Sequence, residues 1–413
     1  MLKILHFADA HIDIAAHGRR DPDTGLPFRV LDFLKSLDTI IDTAIAERVD
    51  LVLFAGDAYK DRSPAPTFQR EWGRRIMRLS RAGIPTVLLV GNHDISPASG
   101  RANAMQEYET LEVPNVLLLG RPALLGPQEL FGLPLQLIAL PWVPRSGLMA
   151  SLSMNGVDPA NVYTELEARL SELVQGWIDN ADRGLPLMLT AHGSVQGAKY
   201  GVERSVQLGS DLVLPGAMVK DQRLCYVAMG HIHKAQDVNE GCQPPVIYPG
   251  SIERVDFGEV ADEKYFVIAH LDHGKETRVE WRKLDGRRFI DRLVKLEGPD
   301  RLMDIILEQL PAAEDLQGAI MRLVLDYPRT CDPLVDEACL RTYAEQAFEF
   351  HLVRRPRMES RLRIPGDATI NSLSPAELLD IYWRSMKTET GETGDLQALA
   401  NEIIQAAGGS TVE

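Results

Sequence analysis

The chain has 413 residues, and its 44 Lys and Arg against 59 Asp and Glu leave a formal net charge of −15. That length exceeds one ordinary core, so two or three domains are expected. The acidic balance excludes a protein that coats nucleic acid through bulk charge; contact with DNA would need local basic patches, bound cations or a partner. Residues 2–8, LKILHFA, read as a first strand. Residues 28–47 follow with helical spacing, Leu31, Leu34, Ile41 and Ile45 recurring. Strands are expected at 50–55 and 85–90, with a helix at 68–81 between them. This β-α-β-α-β order predicts α/β layers with strands buried on both faces. Later strands are expected at 135–140, 185–190, 224–229, 246–248 and 265–270.

The pattern changes at WRKLDGRRFIDR, residues 281–292, where basic residues cluster around Gly286. Beyond it, strand 289–296, helix 301–310, strand 319–325, helix 336–348 and strand 351–355 spell a compact α+β unit. Ser374-Pro375-Ala376-Glu377 is a capping box with Pro at the first helical position. Leu378, Leu379, Tyr382, Trp383 and Met386 then share one helical side, and a last short helix carries Leu396, Leu399 and Ile403. The expected domains are 1–285, 286–365 and 366–413. Cys225, Cys242, Cys331 and Cys339 form no C-x-x-C pair and read as reduced thiols. The N-terminal apolar run is too short for a signal sequence, and no stretch is apolar for long enough to span a membrane. A cytoplasmic, nucleoid-associated protein is expected.

Five polar clusters follow apolar runs. Asp9 and His11 follow the first strand, Asp57 the second, and Asn92, His93 and Asp94 the third. His192 follows a later run, and His231 and His233 another. Ligands of open α/β sheets bind outside the carboxyl ends of the strands, so the five clusters are expected to converge. Carboxylate, imidazole and amide oxygen together suit divalent cations, and the lack of thiolate argues against structural zinc. A lone histidine is ordinarily a satisfied core residue, and a lone aspartate after a strand a helix cap. The ordered set D-x-H, G-D, G-N-H-D, H-G, G-H-x-H points instead to one shared centre, with Gly56, Gly91, Gly193 and Gly230 allowing close backbone approach.

That order resembles the calcineurin-like metallophosphoesterase superfamily. The resemblance implies a four-layer α/β/β/α sandwich, here followed by a small α+β cap and C-terminal helices. It implies that Asp9, His11 and His233 bind one metal, that Asn92, His192 and His231 bind another, and that Asp57 bridges them. His93 would stand beside the scissile phosphate as acid or electrostatic stabiliser, with Asp94 orienting it. Many relatives carry Asp or His where this chain has Lys60. Lys60 or Arg62 would contact substrate phosphate and Asp61 would move near His93, or the loop is simply solvated.

YPGSIERVDFGE (248–259), the LDGRRF junction and S-P-x-E-L-L-x-x-Y further resemble the SbcD-like nucleases of SbcCD complexes. This implies an exo- and endonuclease acting on DNA ends and hairpins in repair and recombination. Two divalent ions are implied, Mn²⁺ first, with Fe²⁺, Zn²⁺ or Mg²⁺ as alternatives. It also implies a homodimer bound to an SbcC-like ABC-type ATPase with a coiled coil. The apolar side of Leu378, Leu379, Tyr382, Trp383 and Met386 would dock on that partner, unless the helix folds back on its own domain. Arg287, Arg288, Arg292 and Lys295, and Arg354, Arg355, Arg357, Arg361 and Arg363, are candidate phosphate contacts. Arg70, Arg74, Arg78 and Arg81 read as a solvated helix face or a dimer contact. A stand-alone phosphodiesterase or phosphatase on nucleotides, and a non-catalytic DNA-end scaffold, are the alternative functions.

Overall fold

The computed structural model describes residues 1–14, 18–95, 102–142, 162–201, 213–357, 374–385 and 396–403. Met386, Arg361 and Arg363 lie outside them. In chain order the strands of the first part are β1 (Leu2–Phe7), β2 (Leu51–Phe54), β3 (Thr86–Leu89), β4 (Val116–Leu119), β5 (Ala123–Leu125), β6 (Gln136–Leu140) and β7 (Leu187–His192). Then come β8 (Ser194–Val195), β9 (Val213–Leu214), β10 (Tyr226–Gly230), β11 (Gln236–Asp237), β12 (Val246–Tyr248), β13 (Lys264–Leu271) and β14 (Arg278–Leu284). The long helices are α1 (Phe28–Ala46), α2 (Pro66–Arg81) and α3 (Val162–Asn180). Proline starts the first two: Pro27 caps α1, and Pro66 is the first residue of α2, where its missing N–H costs nothing.

Two six-stranded sheets result, ordered β14-β13-β1-β2-β3-β4 and β11-β12-β10-β7-β6-β5. β1 to β4 run parallel, as do β6, β7, β10 and β12, with antiparallel strands at the margins. Side chains alternate across each strand and fill three separate cores. Leu5, Phe7, Val52, Phe54 and Leu88 face α1 and α2. Ile4, Leu51, Leu53, Val87 and Leu89 meet Leu137, Met188, Tyr226, Ala228 and Ile247 between the sheets. Leu187, Leu189, Val227 and Met229 pack under Leu170, Val174 and Ile178 of α3, whose i, i+4 spacing makes one stripe. Helix, sheet, sheet, helix is the four-layer α/β/β/α sandwich expected of the sequence. It also explains why these runs are apolar on both faces.

Parallel neighbours end at a common margin. Phe7 pairs with Phe54 and Phe54 with Leu88, while His192 pairs with Gly230. Five strand ends, three from one sheet and two from the other, therefore release their loops together. One polar pair sits in the inter-sheet core: His6 Nδ1 and the Tyr226 hydroxyl are 2.9 Å apart. Burial pushes His6 down to about 3, so it is neutral there.

The chain divides into two compact units, residues 1–290 with 318–320, and residues 291–317 with 321–413. The second holds most of a three-stranded sheet, β15 (Phe289–Lys295), β16 (Ile320–Pro328) and β17 (Glu349–Arg357). Short helices at Leu302–Glu308 and Glu337–Tyr343 accompany the buried Val294, Met321, Leu323 and Leu325. The Asp336 carboxylate caps the second by accepting the Cys339 N–H. That helix stops five residues short of the expected 348, because the chain must turn before β17 begins. A C-terminal helix occupies Pro375–Ser385. Among the described residues, no helix is long and apolar enough to cross a membrane.

Leu53 is fully buried between the sheets, whereas Leu293 is 51% exposed. Leu53→Ala is expected to cost about 2–5 kcal/mol through transfer and cavity terms. Leu293→Ala should stay within about 0.5 kcal/mol. Urea unfolding midpoints compare the two, and equal shifts would contradict this assignment of the core.

Candidate metal centre

Four residues at the strand ends, Asp9 (φ 50°), His11 (φ 37°), Asp57 (φ 65°) and His231 (φ 95°), hold positive φ. Non-glycine residues rarely do so, at about 1–3 kcal/mol each, and such strain concentrates at functional sites. Here it turns the side chains towards one point. Gly91 is required for space, since a Cβ there would lie 2.1 Å from Asp57 Oδ1; one on Gly56 would lie 2.3 Å from His192 Nδ1. Gly193 departs from the expectation: a Cβ there meets nothing within 4 Å.

The side chains converge as two groups. Asp9, His11 and His233 have donor atoms within 4.8 Å of one another, and so do Asp57, His192 and His231. Asn92 Oδ1 joins the second group, 2.9 Å from His192 Nε2 and 3.0 Å from His231 Nδ1. Asp57 Oδ2 lies 3.3 Å from His192 Nε2 and 3.8 Å from His11 Nε2, within reach of both groups.

Hydrogen bonds on the far side of each ring decide which nitrogen faces inwards. His192 Nδ1 meets the Ala55 carbonyl at 2.7 Å, and His11 Nδ1 the Tyr59 carbonyl at 3.3 Å. His233 Nδ1 meets Glu259 Oε1 at 2.8 Å. Carbonyl and carboxylate oxygens can only accept, so each Nδ1 carries the proton and each Nε2 is left with its lone pair. The His11 and His233 Nε2 atoms then face each other at 3.1 Å. His192 Nε2 likewise faces two oxygens. Lone pairs opposed at this range repel unless a proton or cation lies between them. A buried set of nitrogen and oxygen donors without thiolate fits divalent cations. Charge draws a cation to the same place: burial opposes protonation of His192, yet the Asp57 carboxylate outweighs it and pushes the imidazole up to about 9, so that without a metal ion a proton sits on Nε2 where the cation would.

Four residues of the site escaped the sequence reading. Glu259 orients His233, and Lys264 Nζ in turn lies 2.7 Å from Glu259 Oε2. Burial would raise the Glu259 carboxyl, but the His233 hydrogen bond and the Lys264 charge hold it at about 2. A carboxylate behind a ligating histidine fixes its tautomer and raises its basicity. The signal was available in the final glutamate of YPGSIERVDFGE. Trp142 stacks on His231, with centroids 5.3 Å apart. Asp13, 8% exposed, accepts the N–H groups of Lys60 at 2.5 Å and Asp61 at 3.1 Å.

The expected partnership of Asp94 with the His93 ring is corrected. Asp94 is 2% exposed and accepts the backbone N–H groups of Gly91, Asp57 and Ala58, each at 2.9 Å. Its carboxylate faces the loops beneath, while the His93 ring donates from Nδ1 to the Lys60 carbonyl at 2.8 Å. The Asp61 carboxylate accepts the Ser63 N–H and makes no described bond to His93.

The basic candidates separate. Lys60, Arg62, Arg288 and Arg355 are exposed. Arg287 instead grips Asp32 through Nε at 2.6 Å and Nη2 at 2.7 Å. Arg354 pairs with Glu337, and Arg357 with Asp326 and Glu297. On α2, Arg74 pairs with Glu71, and Arg78 with Asp38 and Asp42. These bonds compete with phosphate. On the C-terminal helix Leu378, Leu379 and Trp383 are half-buried and Tyr382 is 45% exposed.

Residues 2–235, more than half of the chain, match the family model of calcineurin-like phosphoesterases. The chain belongs to that family. Its members use two divalent metals, and the two donor groups lie in the part of this phosphoesterase that the model matches. It is 25% identical to the SbcD component of the nuclease SbcCD of Escherichia coli strain K12, over 96% of each chain. It is 29% identical to the corresponding SbcCD nuclease component of Rhodobacter capsulatus, over 67% of this chain and 68% of that one. The DNA double-strand break repair protein Mre11 of Methanosarcina acetivorans is 24% identical over 75% of this chain and 44% of its own.

Replacing Glu259 with Gln keeps the shape but removes the charge behind His233. Affinity for Mn²⁺, read by calorimetry, should fall about 10–100-fold. An unchanged affinity would take His233 out of the metal-binding set.

Proposed function

We propose that this phosphoesterase is a two-metal DNA nuclease that acts on DNA ends and hairpins in repair and recombination, as a homodimer beside an ABC-type ATPase. One observation carries the reading. Similarity to the SbcD component of the nuclease SbcCD runs over 96% of both chains, far beyond the 2–235 region that any family member would share. The second unit and the C-terminal helix are thus part of what is alike. A stand-alone enzyme for small phosphoesters would need neither.

Asp9, His11 and His233 would hold one cation, and Asn92, His192 and His231 the other. Bound there, two divalent ions, Mn²⁺ first among Mn²⁺, Fe²⁺, Zn²⁺ and Mg²⁺, would supply positive charge to the attacking and leaving oxygens of an in-line displacement. Asp57, within reach of both groups, would offset the repulsion between them. His93 donates from Nδ1 to the Lys60 carbonyl, so only its doubly protonated form can act as the acid: the proton on Nε2 goes to the departing deoxyribose oxygen and the ring is left neutral with its Nδ1–H still on Lys60. Lys60 and Arg62 are the exposed cations best suited to strand phosphates; Arg288 and Arg355 are exposed as well. Arg287, Arg354 and Arg357 would first have to release their acidic partners. The apolar side of Leu378, Leu379, Tyr382 and Trp383 would dock on the ATPase. A protein working on chromosomal DNA ends would act in the cytoplasm.

The test uses end-labelled duplex and hairpin DNA with Mn²⁺, with Mg²⁺ and with EDTA. Shortening of DNA with Mn²⁺, none with EDTA and none by Asp57→Ala are expected. His93→Gln should lower turnover about 10²–10⁴-fold, the usual worth of a positioned acid, with DNA binding retained. Hydrolysis of bis(p-nitrophenyl) phosphate with DNA left intact, even beside the ATPase, would point to a nucleotide phosphodiesterase instead.

A further inference from the structure

No side-chain carboxylate or imidazole outside the metal-binding groups orients His93 among the described residues. The structure has a different arrangement. His93 Nδ1 donates to the backbone carbonyl of Lys60 at 2.8 Å. A carbonyl can orient an imidazole only if its own peptide is held. Both N–H groups flanking that carbonyl, those of Lys60 and Asp61, point at the two oxygens of Asp13, at 2.5 and 3.1 Å. Asp13 is nearly buried, and its carboxylate comes from the loop after β1, while His93 comes from the loop after β3. The turn between them is thus held from one side and read from the other.

We propose that Asp13 is the positioning residue for His93, acting through the Lys60 peptide. Asp13 is not one of the donor groups of the metal centre, and both its oxygens are taken by backbone N–H groups. By fixing the direction of the Lys60 carbonyl, it fixes the tautomer of His93 with the proton on Nδ1. The other nitrogen is then the one that exchanges a proton with the leaving oxygen. The carboxylate also pulls the Lys60–Asp61 peptide dipole into line, with its N–H end on the anion and its carbonyl end on the imidazole. An imidazole carrying a proton for transfer is stabilised by that carbonyl, as it would be by a carboxylate, but without adding a charge near the scissile phosphate. Lys60 itself contributes its backbone, so its side chain is left to solvent or substrate.

This inference rests on His93 acting as the acid of the proposed function, and the experiment separates the two. Rates are measured with Mn²⁺ on a DNA phosphodiester and on bis(p-nitrophenyl) phosphate. The DNA alkoxide needs a proton to leave; p-nitrophenolate leaves without one at neutral pH. His93→Gln should lose far more on DNA than on the activated diester. Asp13→Ala should follow it, with kcat on DNA about 10–100-fold lower, KM little changed and a smaller loss on the activated diester, the size expected of a misplaced group. Asp13→Asn keeps one acceptor for the two N–H groups and should fall between. Adding Asp13→Ala to His93→Gln should cost little more on DNA, since the group to be positioned is already gone.

Melting temperature and Mn²⁺ affinity are recorded for every variant, because Asp13 is two residues from His11. If Asp13→Ala lowers both substrates equally, or lowers Mn²⁺ affinity in step with rate, the positioning role is refuted and Asp13 is a structural anchor. The same holds if the two substitutions lose activity independently on DNA. If His93→Gln itself shows no preference between the leaving groups, the acid role of His93 fails first. Should Asp13→Ala fail to fold, Asp13→Asn carries the same comparison.

Discussion

The carboxylate of Asp94 is the constraint on which the site depends. It is buried and binds backbone N–H groups of the loop after β2 and of the loop after β3 at once. Separating those loops would strand a buried anion or buried N–H groups, at about 1–3 kcal/mol for each neutral group and more for a charged one. Asp57, Asn92 and His93 inherit their places from this bond set. Asp57 adds a second tie by accepting the His93 N–H at 2.8 Å. Two loops that share no sequence are in this way one rigid object.

That rigidity holds an arrangement which repels itself. Imidazole lone pairs face one another and face carboxylate and amide oxygens, with four left-handed residues beneath them. Burial also pushes the Asp9 carboxyl up, against the pull of the surrounding histidines. Such a set is costly alone and suited to cations, the kind of preorganisation that phosphoester chemistry needs. Its cost is offset elsewhere, by three apolar layers that do not depend on the site. Glu259 and Lys264 complete it from behind, turning His233 into a stronger donor than its exposure alone would allow.

Charge on the surface is organised differently. An acidic chain cannot rely on net attraction for DNA, and many of its arginines are already paired. Arg287 holds Asp32 across 255 residues of sequence, and Arg357 holds acids of its own unit. Basic runs in the sequence therefore overstate the capacity to bind phosphate. An exposed pair such as Arg357 with Glu297 adds little stability, whereas Arg287 and Asp32 are mostly buried.

The local chemistry of this protein was legible in its sequence. Strand and helix periods gave α/β layers with strands buried on both faces, and residue type with order gave one shared polar centre, because both depend on neighbours along the chain; the four-layer sandwich and the division of the donors came from the family resemblance. Asp13 and Asp94 were not legible in their actual roles, since a carboxylate in a sequence carries no sign of which N–H or imidazole it will meet. Asp94, adjacent to His93, turns away from its ring, while Asp13, far earlier in the chain, reaches it through one peptide. Strand register and loop path decide such bonds, and those exist only once the two sheets have packed.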